Sequence, residues 1–270
     1  MKVKRNITTR KRKTRRVLGG NGNSLKNHTP IKFAVMAMFK NEEMVLKEWI
    51  KHYLWQGADL IILLDNGSTD DYRSITDQFK DKVHVLYAPK RHAQGEQYNK
   101  IGMPFLKGHK VDVVAILDID EYMFGTDGKK LKKHVIDIFG KSDRPSQFSC
   151  HWNMFGSSGH EKHPESIRKS FTWRQAGTNT NIKSVVWLND ILPGGLNQHQ
   201  SKVSGKTIGC PEGIQLNHYA IMSKEYFEKV KMTRGNVSTP GSNKIRNLGY
   251  FKGYNHKNHE DTQLKDLVVK

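Results

Sequence analysis

A chain of 270 residues is long enough for one sizeable α/β domain, and its 36% hydrophobic content, gathered in short runs, excludes wholesale disorder. Two cysteines, Cys150 and Cys210, exclude a disulfide framework and a C-x-x-C zinc or redox site, leaving room for a single bridge. The formal charge of +19 suggests a nucleic-acid binder only until it is located: nearly half of it sits between Lys2 and Arg16, a stretch with no acid, and the body is only moderately basic.

Residues 1–30 read as a basic disordered tail followed by the polar linker Gly19-Gly20-Asn21-Gly22-Asn23-Ser24. Contact with anionic membrane or nucleic acid is the electrostatic alternative for this tail. No run approaches the ~20 apolar residues of a membrane span, and the basic start lacks the apolar stretch of a secretory signal. The expectation is a soluble or peripheral protein on the cytoplasmic side.

From residue 31 strand and helix patterns alternate, which predicts an α/β domain with a mostly parallel sheet flanked by helices. Ile31–Met38 reads as a strand and Glu42–Trp55 as an amphipathic helix with Asn41 as its N-cap. Leu60–Leu64 is a strand running into the acceptor-rich turn Asp65-Asn66-Gly67-Ser68-Thr69-Asp70 and a short helix to Phe79. Val83–Tyr87 and Val113–Leu117 are strands separated by a helix over Gln94–Leu106. Lys129–Phe139 is a further helix, and Gln147–Trp152 a strand leading to the glycine turn Phe155–His160. Residues 165–215 suggest short strands and loops, and Ser223 caps a last helix to about Arg234, stopped at Gly235.

The run Val113–Leu117 ends in Asp118-Ile119-Asp120. Along a strand, period 2 puts both carboxylates on one face, where they repel unless a cation lies between them. Mg²⁺ or Mn²⁺ suits such oxygen ligands and leaves positions for substrate phosphates. Ligands of open α/β sheets bind outside the carboxyl ends of the strands, so Lys40-Asn41-Glu42 and Asp65-Asn66-Gly67-Ser68 belong to the same comparison. Each has a plain reading too: a helix cap for Asn41 and a self-bonded turn for Asp65 with Ser68. Arg91, Gln94 and Gln97 are candidates to line a sugar pocket.

Lys40-Asn41-Glu42, Leu64-Asp65-Asn66-Gly67-Ser68-Thr69-Asp70 and Leu117-Asp118-Ile119-Asp120-Glu121 resemble the signatures of GT-A-fold glycosyltransferases, in the family-2-like and family-92-like branch. Trp152–His160 and Leu216-Asn217-His218-Tyr219, with the helix after Ser223, resemble the later blocks of the family-92-like group. The resemblance covers about residues 31–236, taken as the GT-A domain; residues 237–270 are a C-terminal extension. It implies transfer from a nucleoside-diphosphate sugar, a UDP-sugar favoured, to a hydroxyl on a glycan, protein or lipid. By this resemblance Asp118 and Asp120 would meet the metal and diphosphate, and Glu42 and Asp65 would face the nucleoside; Asn41, Arg91 and Gln94 are further candidates, from the residues themselves, to contact the nucleotide sugar. GT-A enzymes often add a late histidine to the metal, for which His218 is the first candidate and His199 the second.

Relatives in the family-2-like branch invert the anomeric centre, which requires a base beside the acceptor hydroxyl. Glu161 is the preferred candidate and His160 the next, with Asp190 and Glu212 behind them; the usual Glu-Asp pair is absent. The plain reading of Phe155–Gly159 is a turn in which glycines supply positive φ. Two other classes compete. A nucleic-acid-binding protein would use the basic tail. A sugar nucleotidyltransferase would share the architecture, but normally carries a glycine-rich phosphate loop where this chain has Met38-Phe39-Lys40-Asn41-Glu42.

Overall fold

The computed structural model describes residues 30–234 and 246–269. The described residues from Ile31 onward belong to one compact unit. Its strands are β1 (Phe33–Phe39), β2 (Leu60–Asp65), β3 (Val83–Tyr87), β4 (Val113–Ile116), β5 (Glu121–Gly125), β6 (Gln147–His151), β7 (Asn153–Met154), β8 (Trp173–Arg174), β9 (Ile182–Trp187), β10 (Thr207–Ile208), β11 (Ile214–His218) and β12 (His259–Glu260).

The central sheet has the order β10-β6-β9-β4-β1-β2-β3. All its strands run one way except β9, which is antiparallel to both β4 and β6. This is the α/β architecture with a mostly parallel sheet expected from the sequence. The strands β1, β2 and β4 are buried on both faces, which is why they read as unbroken apolar runs. Alternation along β1 sends Phe33, Val35, Ala37 and Phe39 into one core with Val45, Leu46, Trp49, Ile50 and Tyr53 of the helix Glu43–Trp55. Ala34, Met36 and Met38 face a second core holding Tyr98 and Leu106.

A second sheet, β5-β11-β7, lies outside what the sequence patterns predicted. Its strand β5 begins where a continued β4 was expected: the chain turns at Asp118–Asp120, with Glu121 N–H donating to the Asp118 carbonyl at 3.0 Å. Asp118 and Asp120 therefore sit in a turn between two strands, not on one face of a strand.

Two helices depart from plain α-geometry. The predicted helix over Gln94–Leu106 is α-helical at Gln94–Gln97, widens into a π-turn at Tyr98–Gly102 and resumes at Met103–Gly108. After Ser223, whose hydroxyl accepts from Tyr226 N–H as the expected cap, Lys224–Tyr226 passes into a π-turn at Phe227–Lys231. The predicted stop at Gly235 lies outside the described residues.

Residues beyond 246 pack on the body: β12 pairs with β8, and Asp261 binds the Arg174 guanidinium at 2.8 Å. Cys150 and Cys210 form a disulfide joining the end of β6 to the segment before β11. Disulfides persist in oxidising compartments and are rare in the cytosol, so this cross-link and the cytoplasmic expectation point in opposite directions. Among the described residues no helix is long and apolar enough to cross a membrane.

Candidate active site

The turn Asp118–Glu121 is held from below by one buried face of the helix Glu43–Trp55. Trp49 Nε1 donates to the carbonyls of Asp118 (3.0 Å) and Glu121 (3.1 Å), and Tyr53 Oη donates to the Glu121 carbonyl at 2.8 Å. The same Tyr53 hydroxyl accepts from Met123 N–H, and His52 Nε2 meets the Met123 carbonyl at 3.0 Å. Positions 49, 52 and 53 share a face because helix neighbours recur at i+3 and i+4. Local helix periodicity thus fixes the backbone of a turn some 70 residues away in sequence, as the separations of 69 and 72 for the two Trp49 bonds show.

Register does the rest. His218 on β11 is the direct partner of Glu121 on β5, and Tyr219 N–H donates to the Asp120 carbonyl at 2.8 Å. Asp120, Glu121 and His218 each bring one ligand atom within 4.8 Å of the others, all three buried. His218 Nε2 lies 3.5 Å from Asp120 Oδ1. Two atoms in this cluster, Glu121 Oε1 and His218 Nδ1, are buried without a hydrogen-bond partner. Orphaned acceptors at adjacent buried residues are costly, and a divalent cation satisfies them. The donor set of carboxylates and an imidazole therefore fits Mn²⁺ or Mg²⁺.

Asp118 is engaged elsewhere. Its Oδ2 accepts from Lys183 Nζ at 2.8 Å, and Lys183, fully buried on β9, also lies 3.3 Å from Glu121 Oε2. Glu121 Oε2 in turn accepts from Asp118 N–H at 2.7 Å. Burial opposes ionisation of Asp118, and the Lys183 ammonium outweighs it, holding this carboxyl below its ordinary range. Asp120 is held well below: burial would raise it, but Lys231, with Nζ 2.5 Å from Oδ2, and His218 pull it down. Burial drives Glu121 up, against the Lys183 charge. Burial also lowers the His218 imidazole, keeping it in the neutral form that ligates metals.

The exit of β1 joins the same region. Glu42, 2% exposed, accepts from Tyr226 Oη at 2.6 Å and pairs with Arg234 Nη1 at 2.5 Å; Arg234 also donates to the Lys40 carbonyl. The cluster and its flanks thus combine four carboxylates with Lys183, Lys231 and Arg234, at the carboxyl ends of β1 and β4.

The profile of glycosyltransferase family 92 matches residues 30–270. The chain belongs to glycosyltransferase family 92. A glycosyltransferase family 92 protein of Ricinus communis is 22% identical over 215 residues, covering 76% of this chain; the chain spans only 38% of that relative's length. Among solved structures, the mannosyltransferase PcManGT from Pyrobaculum calidifontis, in complex with GDP-Man and Mn²⁺, is 13% identical with a TM-score of 0.46, covering 75% of this chain and 62% of that one. HddC from Yersinia pseudotuberculosis is 12% identical with a TM-score of 0.42, covering 74% and 97%. Glucosyl-3-phosphoglycerate synthase from Mycobacterium tuberculosis, in complex with Mn²⁺ and UDP-Glc, is 16% identical with a TM-score of 0.31, covering 45% and 44%.

The other candidates of the family 92 domain are mostly held by neighbouring backbone and side chains. Asn41 does not cap the helix. It adopts a positive φ of 53°, which asparagine tolerates, and its Oδ1 accepts from Thr69 N–H while its own N–H donates to Ser68 Oγ. The first turn of that helix is capped from across the site, by Asp70 Oδ2 on Glu43 N–H at 2.8 Å. Asp65 forms the self-bonded turn, accepting from Ser68 N–H at 2.8 Å and Tyr72 Oη at 3.1 Å. Gln94 is buried and donates to Tyr98 Oη, Gln97 staples the backbone of Lys90, and Arg91 is exposed.

The two residues proposed for proton transfer are not gathered with the cluster. Glu161 has a side chain 76% exposed and lies 3.3 Å from Lys224 Nζ. His160 Nε2 meets the Ser170 carbonyl at 3.1 Å, and its ring packs on Phe171. The carbonyls of both residues accept from the first N–H groups of the helix after Ser223, so this segment caps a helix. The preceding turn has Gly159 at a φ of 84°, and a Cβ at Gly156 would lie 2.3 Å from the His256 carbonyl, so its glycines answer to backbone geometry. His199 binds the Ile182 carbonyl; Asp190 is taken by Arg144 and Ser146; Glu212 is exposed.

The sequence reading missed Lys183, Lys231, Arg234 and Tyr226. A lysine inside the apolar strand Ile182–Trp187 was a usable signal, as was the i, i+3 spacing of Lys231 and Arg234 at the end of an amphipathic helix.

Proposed function

We propose that the family 92 domain transfers a sugar from a nucleoside-diphosphate sugar, a UDP-sugar favoured, to a hydroxyl of a glycan, protein or lipid, with inversion at the anomeric carbon. The observation that carries this reading is the buried group Asp120, Glu121 and His218, in which Glu121 Oε1 and His218 Nδ1 have no hydrogen-bond partner, flanked by the buried or half-buried Lys183, Lys231 and Arg234 at the carboxyl ends of β1 and β4. A cluster built only for stability would satisfy its own acceptors.

Mn²⁺ or Mg²⁺ held by Asp120, Glu121 and His218 would supply Lewis-acid stabilisation of the leaving diphosphate. Lys183 holds Asp118 ionised at the edge of the cluster, where over a third of its side chain, 37%, is open to a ligand. Arg234 and Lys231 add positive charge on the side reached by the helix after Ser223, where it stabilises developing negative charge on the diphosphate. The loop of Asp65 and Asn41, cross-bonded through Ser68 and Thr69, would present the nucleoside side of the pocket.

The test is metal-dependent hydrolysis of UDP-, GDP- and dTDP-sugars, which needs no acceptor, in the wild type and Asp120→Asn. Turnover of one donor that requires Mn²⁺ or Mg²⁺ and falls at least about a hundredfold in the variant supports the reading. Absence of both hydrolysis and metal-dependent nucleotide binding across the panel overturns it.

A further inference from the structure

Of Lys183, Lys231 and Arg234, Lys231 is the one whose charged group has a single polar partner among the described residues. Lys183 is shared by Asp118 and Glu121, and Arg234 by Glu42 and the Lys40 carbonyl, but Lys231 Nζ meets only Asp120 Oδ2, at 2.5 Å. Its side chain is 2% exposed, and it leaves the last position of the π-turn Phe227–Lys231, a distortion frequent at functional sites. The ammonium therefore sits on the carboxylate that, with Glu121 and His218, completes the group fitted to a divalent ion.

We infer that Lys231 is an exchangeable counter-ion: it neutralises Asp120 in the metal-free enzyme, is displaced when the divalent ion binds, and then pairs with the donor diphosphate. The inference rests on the reading of Asp120, Glu121 and His218 as metal ligands.

A singly charged ammonium and a divalent ion drawn to the same Asp120 carboxylate repel strongly where water is excluded. The lysine can yield because four rotatable bonds separate its ammonium from the helix, whereas the metal ligands are fixed by the turn and by strand register. Displacement deprives a buried ammonium of its hydrogen-bonded anion, which is unfavourable until a diphosphate supplies another. Metal and nucleotide are then linked: each removes a cost of binding the other, and by reciprocity the coupling is the same from either side.

The experiment is a Mn²⁺ titration followed by the EPR signal of the free aquo ion, on the full chain, with and without UDP or GDP. The expected result for the wild type is weak Mn²⁺ binding that the nucleotide tightens by about tenfold or more. Lys231→Met should bind Mn²⁺ alone about tenfold tighter than the wild type, and the nucleotide should add little further. Lys231→Gln, which keeps a donor for Asp120 without the charge, should shift in the same direction and guards against misfolding of the methionine variant, circular dichroism reporting the fold of each. Asp120→Asn should abolish binding in either background. If folded Lys231 variants bind Mn²⁺ no more tightly than the wild type, or keep the full nucleotide coupling, the exchange is wrong while the ligand reading stands. If the wild type binds no Mn²⁺ with or without either nucleotide, the ligand reading fails and the exchange with it.

Discussion

The indole Nε1 of Trp49 donates to the carbonyl oxygen of Asp118 at 3.0 Å, so a core residue of the first helix sets the position of a residue in the acidic turn. The same N–H reaches Glu121. Trp49→Phe keeps most of the buried ring but leaves both carbonyls without this donor, so the variant should lose about 1–3 kcal/mol of stability. It should also loosen the turn, weakening Mn²⁺ affinity several-fold. Thermal melts read the first effect and metal titration the second; a variant as stable as the wild type with unaltered Mn²⁺ binding would show that Trp49 only fills space.

Lys183 presents a different balance. Burial opposes its charge, but Asp118 and Glu121 outweigh burial and hold the ammonium above its ordinary pKa. Lys183→Met preserves volume and strands the fully buried Glu121 beside Asp118, so at pH 8 it should cost about 3–5 kcal/mol, the usual penalty for breaking one side of a buried pair. The stranded carboxyls have raised pKa values in the variant, take up protons as pH falls, and lose their repulsion. The difference between variant and wild type should therefore shrink toward pH 5. Adding Glu121→Gln should recover part of the loss at pH 8, a coupling that denaturant melts of the double-mutant cycle would measure.

His52 gives a pH signature with the opposite origin. Burial, and then the Arg168 charge, push its imidazole down to about 3. In the unfolded chain an ordinary histidine titrates near 6.5. Between these values the unfolded state binds a proton that the folded state refuses, so stability falls as pH drops, with a slope of up to about 1.4 kcal/mol per pH unit from this group. His52→Gln keeps a donor for the Met123 carbonyl and does not titrate. Its stability should decline less steeply than that of the wild type between about pH 6.5 and 3, a comparison that cancels the other histidines. Parallel curves would mean that His52 protonates in the folded state.

The reach of the sequence reading follows from which features are local. Unbroken apolar runs reveal β1, β2 and β4 because a strand buried on both faces tolerates little else. Ser223 is legible as a cap because its partner is three residues away. His218, a candidate from its surrounding motif, does join Asp120, whereas Glu121 is not legible as a ligand because the apolar run gives no sign that the strand ends at Ile116. A turn breaks the period of 2, and the residue after the motif becomes the cross-strand partner of His218. Lys183 and Lys231 meet their carboxylates at sequence separations of 65 and 111, set by strand order and helix docking, which no short window carries. Asn41 shows the same limit at close range: the right residue type for a cap stands one position too early, and Asp70 supplies the acceptor from another loop.

Glu161 offers the sharpest separation of motif from geometry. Inverting transfer, as proposed, would require a base within hydrogen-bond reach of the acceptor hydroxyl. Glu161 instead projects into solvent beside Lys224, while its backbone carbonyl caps the helix that carries Lys231 and leads to Arg234. Backbone capping survives substitution of the side chain, and an exposed ion pair contributes at most about 1 kcal/mol. Glu161→Gln should therefore leave stability unchanged and keep transfer within about twofold of the wild type, whereas removal of a true general base costs about 10²–10⁴-fold. Single-turnover transfer to an acceptor, measured beside donor hydrolysis, decides between them. A large loss confined to transfer, with hydrolysis intact, would make Glu161 the base and require the segment His160–Glu161 to move toward the cluster when acceptor binds.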